Sequence, residues 1–395
     1  MTGSRRFSHR AAHAVVFMLA CLGCIADPSG VRNEPSLPGS CDYATSVAPD
    51  HVPDCLYARH LISADDRDNA MPVVIGAEAI QSVYQADTGN IASFYKAAEV
   101  TRALTHMSEY YARGLFQDSA RFHRMLDHVT VTLSYLAQSG SRQEYDMFWP
   151  AATPYLAWVY YPSAGVHFQP TTTAHAVIPS TLPTPTLSID SLLAIADNLY
   201  SHALWRSWSG MRFPVWEYQF TWTSGGITNL TPWISGMAQG LVLELFAEAY
   251  RRTGDQLWLQ RAREVLNSLW VDWDHGGVLL PDTSHGYWWE EFNPVHRVWN
   301  GSVQALIGVG YFWQVTGDSV VKRMFDRGLE ALKYYTPAYD TGNWTLYSLT
   351  QGYNTAAYHN YEVAELDVLY SMSGDPWCKT IADRWRSYTP PPGAG

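Results

Sequence analysis

Three apolar segments of the chain end in the same short motif, Thr253-Gly254-Asp255, Thr316-Gly317-Asp318 and Ser373-Gly374-Asp375. Glycine accepts the left-handed backbone that closes one helix, and aspartate caps the next helix, so each motif predicts a tight turn between two helices. The copies are spaced by about 60 residues, which is typical of stacked helical pairs. Thr88-Gly89-Asn90 is a fourth candidate. We therefore predict an all-α dominated chain, built as an α/α toroid of stacked helical hairpins.

Composition narrows the class of ligand. Charged residues make up 16% of the chain and aromatic residues 14%, with 17 Trp and 25 Tyr. Aromatic rings stack on sugar faces, but they also fill the core of a Trp-rich toroid, and both interpretations stay open. The formal net charge of -11 argues against nucleic acid as a partner, because nucleic-acid-binding surfaces are basic.

The N-terminal residues 1–23 have the pattern of an export signal, with three arginines before the apolar stretch Ala11 to Gly23. Gly23-Cys24 resembles a bacterial lipoprotein cleavage site, and Cys21 is an alternative. We predict an exported lipoprotein, held on a membrane by a lipid anchor at Cys24 and facing the periplasm or the cell exterior.

The domain plan follows from composition. Residues 24–60 are rich in proline and predict a tether, and residues 61–395 are assigned to the toroid as a catalytic domain. Cys41 and Cys55 could form a disulfide in an exported chain, which leaves Cys378 as a buried thiol. The 14 His are scattered without metal-ligand spacing, so no metal site is expected.

Helical periodicity in the first half covers residues 74–87, 92–115 and 118–138. The stretch 145–187 is rich in Pro, Thr and aromatic residues, which predicts irregular or β-hairpin segments near the mouth of the toroid. Because the hairpin turns share one end of the toroid, the long loops should converge at the other. These loops are 213–232, 274–299 and 340–357.

The loop 274–299 contains Trp289-Glu290-Glu291, in which adjacent carboxylates can act as acid, base or acceptors for sugar hydroxyls. Successive side chains of an extended segment point to opposite sides, so one glutamate is expected in the cleft and the other in a structural role. His296 and Arg297 form the clear positive cluster of these loops, and either a carboxylate contact or a solvated surface fits them.

Tyr358, Glu362 and Glu365 follow helical spacing and share one face. Two carboxylates on a helix face usually indicate a solvated face, whereas on an inner toroid helix they would line the cavity. Both interpretations stay open.

The order of several short motifs resembles the C-terminal domain of heparan-type D-glucuronyl C5-epimerases over residues 232–388. The motifs are Ser235-Gly236-Met237-Ala238-Gln239-Gly240, Trp289-Glu290-Glu291, Asn300-Gly301, Tyr339-Asp340-Thr341-Gly342, Tyr347, Tyr358-His359 and Arg384-Trp385. This resemblance implies inversion at C5 of glucuronic acid units in a polysaccharide. It also implies that Tyr347, Tyr358 and Glu291 are the catalytic residues.

Three departures from the family pattern stand out. Where the family has a tyrosine after the Glu-Glu pair, this chain has Phe292. Where the family has an arginine shortly after the position of Tyr347, this chain has Thr350. The segment from Tyr347 to Tyr358 is also shorter than usual.

Removal of the weakly acidic C5 proton needs a base and stabilisation of the developing enediolate. Asn300 at a helix N-terminus, with Arg297 or His359, is expected to bind the carboxylate, and Trp289, Trp233 and Glu290 to contact the sugar. Inversion then needs an acid and a base on opposite faces. The two tyrosines are the expected pair, and Glu291 is the alternative base.

No redox cofactor is required for this chemistry, and the expected partner is an acidic polysaccharide. The same carbanion could instead expel the C4 substituent, as in a polysaccharide lyase. A two-carboxylate hydrolase is disfavoured because Glu290 and Glu291 are adjacent. A non-catalytic glycan-binding lipoprotein is the alternative that is not an enzyme.

Overall fold

The computed structural model describes residues 41–43, 47–138, 144–162, 164–178, 187–224, 226–282 and 284–392. The predicted export signal, both candidate lipidation cysteines and most of the predicted tether lie outside these residues. The chain divides into two compact units, one up to Phe168 and one from Gln169 onward. In the described part of the chain, no helix combines the length and apolar character needed to cross a membrane.

Among its described residues, the first unit contains four α-helices, a 3-10 turn at Pro49–His51 and a small antiparallel sheet of order β1-β2-β3. The helices are α1 (Val52–Ala58), α2 (Ala64–Ala86), α3 (Ile91–Ala112) and α4 (Ser119–Ala137), and the strands are β1 (Met147–Phe148), β2 (Trp158–Tyr161) and β3 (Gly165–Phe168). Helices α3 and α4 pack against each other and against β3. The three helical segments predicted from periodicity and the β-hairpin predicted within 145–187 are confirmed.

Cys41 and Cys55 form a disulfide, and Cys378 is a buried free cysteine, both as predicted. A bridge that closes a loop of this size stabilises a domain by about 3 kcal/mol in the chain-entropy account. The fourth turn candidate differs from the other three. Asn90 caps α3 by accepting a hydrogen bond from the Ala92 N–H. Gly89, however, does not adopt the positive φ that the glycines of the other three turns adopt.

The second unit contains eight helices and three two-stranded sheets among its described residues. Its helices are α5 (Pro170–His175), α6 (Ile189–His202), α7 (Gly236–Thr253), α8 (Gln256–Trp270), α9 (Trp299–Thr316), α10 (Ser319–Tyr335), α11 (Ala356–Ser373) and α12 (Pro376–Arg386). The hairpins join β4 (Leu204–Trp208) to β5 (Met211–Val215), β6 (Trp222–Ser224) to β7 (Ile227–Asn229), and β8 (Leu279–Asp282) to β9 (Gly286–Trp289).

The repeated turn motif forms as predicted. Gly254, Gly317 and Gly374 have φ values of 70°, 68° and 68° and end α7, α9 and α11. The aspartate that follows each glycine accepts a hydrogen bond from a backbone N–H in the first turn of the next helix. The motif therefore produces three hairpins, α7-α8, α9-α10 and α11-α12.

The first helices of the hairpins pack side by side, α7 against α9 and α9 against α11. Helix α9 is buried around its whole circumference from Trp299 to Gly310, whereas α10 buries one face. A Cβ atom at Gly240 would overlap the Ala305 backbone, and one at Gly308 would overlap the Gly240 carbonyl. The α7 and α9 backbones are thus in direct contact. Stacked hairpins are confirmed, and closure into a toroid stays a prediction.

The long loops of the second unit meet at the ends of the inner helices that lie opposite the Gly-Asp turns. The Trp299 N–H donates to the Tyr347 carbonyl at 3.3 Å, and Val298 and Ser348 form an antiparallel bridge. The Gly236 N–H donates to the Glu290 carbonyl at 2.8 Å. Loops 274–299 and 340–357 therefore lie together at the N-termini of α7 and α9.

Candidate functional site

The Glu291 carboxylate lies at the N-termini of two inner helices. Its Oε2 accepts hydrogen bonds from the Ser235 hydroxyl at 2.9 Å and from the Met237 N–H at 3.0 Å. A Cβ atom at Gly301, in the first turn of α9, would lie 2.8 Å from the same oxygen, so only glycine leaves room there for the carboxylate. Burial raises the pKa of Glu291 to about 7, although the bonds from Ser235 and Met237 act in the opposite direction.

Glu290 points into the interior, as the alternation along an extended segment predicts. Its Oε1 accepts from the Glu291 N–H at 2.9 Å and the Val298 N–H at 3.3 Å, and its side chain is fully buried. Burial raises the pKa of Glu290 to about 8. Glu291 is partly exposed by contrast. The adjacent carboxylates therefore have different environments, and Glu291 is the one open to a ligand.

Tyr347 and Tyr358 come together, and Glu291 lies near enough to influence Tyr347 electrostatically. Their rings lie 5.2 Å apart in an edge-to-face arrangement, with Tyr347 partly buried and Tyr358 45% exposed. Burial raises the pKa of Tyr347 well above its usual value, and the neighbouring Tyr358, Glu291, Glu290 and Glu362 raise it further. Tyr347 is therefore a phenol rather than a phenolate at neutral pH.

The carboxylates of α11 face the interior. Glu362 and Glu365 are 0% and 3% exposed, so the solvated-face interpretation of this helix is wrong. Burial raises the pKa of Glu362 to about 8, and burial together with the charges of Glu362 and Glu291 raises that of Glu365 well above its usual value. Neither Glu365 oxygen has a hydrogen-bond partner among the residues that the structure describes. This helix therefore presents acids that are largely protonated near pH 7.

Asn300 and Arg297 lie on either side of the α9 N-terminus. Asn300 is 3% exposed, and its Oδ1 has no partner in the described part of the chain. Arg297 adopts a left-handed φ of 48°, and its carbonyl accepts from the Tyr339 hydroxyl at 2.6 Å. Its guanidinium lies 4.8 Å from the Tyr335 ring centroid. Asn300 thus offers an unused acceptor at the site, while the Arg297 guanidinium packs on an aromatic ring.

His359 packs beneath loop 340–357 and holds it in place, and it does not belong to the exposed surface of the site. Its Nδ1 contacts the Thr345 hydroxyl at 2.9 Å, its Nε2 contacts the Trp385 carbonyl at 3.0 Å, and its ring stacks on Trp344 at 3.7 Å. Burial lowers the pKa of His359, so the ring is neutral near pH 7. Both ring nitrogens are already engaged within the protein.

The two predicted tryptophans have different environments. Trp289 is 0% exposed and donates from Nε1 to the Leu269 carbonyl at 2.9 Å. Trp233 stacks on Tyr218 at 3.9 Å and lies 5.9 Å from the Phe292 ring. Trp233 also lines a cavity of about 350 Å³. The other lining residues are Arg206, Thr228, Asn229, Leu230, Pro232, Ile234, Trp273, Gly277, Phe292 and Asn293.

The Tyr-Asp-Thr-Gly motif positions the loop that carries Tyr347. Asp340 accepts from Trp385 Nε1 at 2.9 Å and from the Tyr388 hydroxyl at 2.7 Å, which attaches the loop to α12 and the segment after it. The role of Ser235 as helix cap and Glu291 partner was missed in the sequence. Its signal is a serine directly before a long apolar helix.

Comparison with known proteins finds similarity in the second unit. Residues 210–387 match the family model of the D-glucuronyl C5-epimerase C-terminus. The similarity covers less than half of the chain. A D-glucuronyl C5-epimerase from Caenorhabditis elegans is 28% identical over 177 residues, which are 40% of this chain and 29% of that protein.

A second relative is an uncharacterized protein from Methanocaldococcus jannaschii, 28% identical over 181 residues, which are 44% of this chain and 58% of that protein. The chain therefore spans little more than half of one relative and less than a third of the other. After the name of the family model that they match, we refer to residues 210–387 as the epimerase domain.

The departures from the family pattern are accommodated by local contacts in the epimerase domain. Phe292 is 3% exposed and packs edge-to-face against Trp222 at 4.9 Å and His296 at 5.0 Å. The Thr350 hydroxyl contacts His296 Nδ1 at 2.5 Å. An aromatic ring and a hydroxyl thus occupy the positions where the family resemblance leads us to expect a phenol and a cation.

The buried acids of the epimerase domain predict a pH-dependent stability. The folded-state pKa of Glu362, about 8, lies above its ordinary value of 4.5, so the folded state keeps a proton that the unfolded state releases between these values. Stability is therefore highest at low pH in this window and falls as the pH rises towards 8, by up to about 1.4 kcal/mol per pH unit for each such group.

Urea unfolding at pH 5, 6.5 and 8 measures this slope. Glu362→Gln is expected to flatten it, whereas Glu330→Gln on the exposed face of α10 should leave it unchanged. A slope that Glu362→Gln leaves intact would show that Glu362 does not bind the proton.

Proposed function

We propose that the epimerase domain inverts C5 of D-glucuronic acid units in a polysaccharide by removing and returning a proton. The observation that carries the proposal is that Glu291, which packs on Gly301, and Tyr347, whose carbonyl accepts from the Trp299 N–H, meet at the N-terminus of α9. It puts a carboxylate that titrates near neutrality close to the Tyr347 phenol, which stays protonated. The family match and the relative named a D-glucuronyl C5-epimerase support the same reaction.

In this proposal Glu291 is the base. A general base works best when its pKa lies near the operating pH, and the pKa of Glu291 is about 7. The bonds from Ser235 and Met237 fix one carboxylate oxygen, so the carboxylate is held in one orientation before the substrate binds. The C5 proton passes to Glu291, and the C5 electron pair delocalises into the sugar carboxylate.

Tyr347 is the acid on the opposite face. A tyrosinate base would need a nearby positive charge to lower its pKa. The pKa of Tyr347 is instead raised, first by burial and then by neighbouring Tyr and Glu side chains, so the phenol form is favoured. Its O–H therefore returns a proton to C5. Exchange with water then reprotonates Tyr347 and deprotonates Glu291. No oxidation state changes in this cycle, so the reaction does not require a redox cofactor.

The developing enediolate needs a positive environment. Asn300 and Gly301 lie in the first turn of α9, where backbone N–H groups lack helical acceptors and the helix dipole favours negative charge. We place the sugar carboxylate at this N-terminus. The aromatic cavity at Trp233 and Phe292 is the proposed position of a neighbouring sugar.

Turnover of a uronic-acid polysaccharide in deuterated water tests the reaction. We expect deuterium at C5 and both C5 configurations, without chain cleavage. A new absorbance near the ultraviolet edge would identify a lyase. Binding without exchange would identify a glycan-binding protein, and both results would overturn the proposal.

We also propose that the protein acts outside the cytoplasm as a lipoprotein anchored at Cys24. The export pattern of residues 1–23 and the Cys41–Cys55 disulfide support this location, because disulfides persist in oxidising compartments.

A further inference from the structure

Three histidines that are distant in the sequence converge in the first unit. His106 lies on α3, His128 on α4 and His167 on β3, and one nitrogen from each lies within 4.8 Å of the others. Within the described residues, this is the one group of three or more His, Cys, Asp or Glu side chains close enough to hold a metal ion. It belongs to a different unit from the epimerase domain.

The rings are ordered against one another. His128 and His167 stack at a centroid distance of 4.4 Å and an interplanar angle of 8°, and His106 lies edge-on to both at 5.6 Å. His106 is partly exposed, while the other two are 3% exposed. The cluster is therefore enclosed on the side of α4 and β3, and His106 forms its accessible edge.

Backbone carbonyls fix the orientation of two rings. His128 Nδ1 donates to the Val166 carbonyl at 2.8 Å, which puts the lone pair on Nε2. This Nε2 is buried and has no hydrogen-bond partner among the described residues. His167 Nε2 contacts the Ala164 carbonyl at 3.0 Å. Metal-binding histidines typically make such a second bond, because it selects the tautomer and aims the lone pair.

A paired charge lies beside the cluster. The Glu99 and Arg102 side chains lie next to Gly165 of β3 and pair with each other at 2.7 Å. The positive charge of Arg102 near the three histidines is therefore offset by the Glu99 carboxylate.

We propose that His106, His128 and His167 bind one divalent transition-metal ion of the zinc class. Three imidazoles with an open fourth position are an established zinc ligand set. Bonds of about 2.0–2.1 Å in a tetrahedral site require the three nitrogens to approach one another more closely than the 4.8 Å limit. Binding therefore requires His128 and His167 to tilt out of their parallel stack, so that both in-plane lone pairs point at one ion.

The ion would satisfy His128 Nε2 and connect α3, α4 and β3. Thr132 lies one turn after His128 on the same face of α4, and its buried hydroxyl also lacks a partner in the described part of the chain. The function of the ion is therefore to hold the two helices and the sheet together.

The full chain without a histidine tag tests the site. After dialysis against a chelator, Zn²⁺ is titrated calorimetrically, Co²⁺ binding is followed by its visible absorption bands, and the melting temperature is recorded with and without Zn²⁺. We expect one ion per chain, cobalt bands typical of a tetrahedral site, and a higher melting temperature with Zn²⁺.

His106→Gln and His128→Gln should each weaken Zn²⁺ binding by at least about 100-fold, since losing even an outer partner of a ligand costs about 10- to 100-fold. His123→Gln is the matched control. It lies on the same helix, and its Nε2 contacts Asp66 at 2.8 Å. The control should bind Zn²⁺ like the wild type.

A wild-type chain that binds neither Zn²⁺ nor Co²⁺ would overturn the proposal, even if a variant does not fold. Equal loss of affinity in His123→Gln and His128→Gln would also overturn it, because it would indicate binding by surface histidines.

Discussion

Replacing Tyr347 with phenylalanine is expected to reduce C5 inversion by about 10²- to 10⁴-fold, the usual contribution of a positioned general acid. The phenyl ring keeps the edge-to-face contact with Tyr358, so the loop should keep its conformation. Glu291 remains able to remove the proton and return it to the same face. The variant should therefore still incorporate deuterium at C5, with retention of configuration.

Nuclear magnetic resonance of the polymer after reaction in deuterated water separates exchange from inversion. Tyr353→Phe is the control, because Tyr353 lies in the same loop and is 46% exposed. It should keep both activities. Inversion at the wild-type rate in Tyr347→Phe would remove Tyr347 from the acid role.

Replacing Glu291 with glutamine is expected to reduce both exchange and inversion of D-glucuronic acid units, again by about 10²- to 10⁴-fold. Glutamine keeps an oxygen that can accept from Ser235 and Met237, so the helix N-terminus should stay intact. In the wild type, kcat/KM should rise with pH and level off above about 7, as Glu291 ionises. Residual activity of the variant should lack this rise.

Two comparisons make the Glu291 test specific. Glu330→Gln, on the exposed face of α10, should keep the wild-type rate and pH profile. Circular dichroism of Glu291→Gln should match the wild type, since the change is isosteric. Normal C5 exchange in a folded Glu291→Gln chain would show that another group is the base.

The parts of this structure that were predictable depend on short-range chemistry. The Gly-Asp turns follow from the left-handed glycine and the aspartate cap, both of which act within a few residues. The division between Glu290 and Glu291 follows from the alternation of an extended segment. Each of these inferences needs only neighbouring residues.

Contacts between distant segments could not be derived in this way. His359 bonds to Thr345 and Trp385, and nothing in its local sequence shows that both nitrogens are engaged. Trp289 is enclosed in the core although its segment carries the candidate base. The three histidines of the first unit share no spacing pattern, because α3, α4 and β3 bring them together only after folding.

The glycine contact between α7 and α9 has an evolutionary consequence. Since the two backbones touch at Gly240 and Gly308, the separation of these helices does not depend on the size of interlocking side chains. Mutations at the loop end, such as those leading to Phe292 and Thr350, can therefore accumulate without moving the helix N-termini that hold Glu291 and Asn300. A lineage with this arrangement can vary its loop residues while it inherits the same spacing of the two helix N-termini.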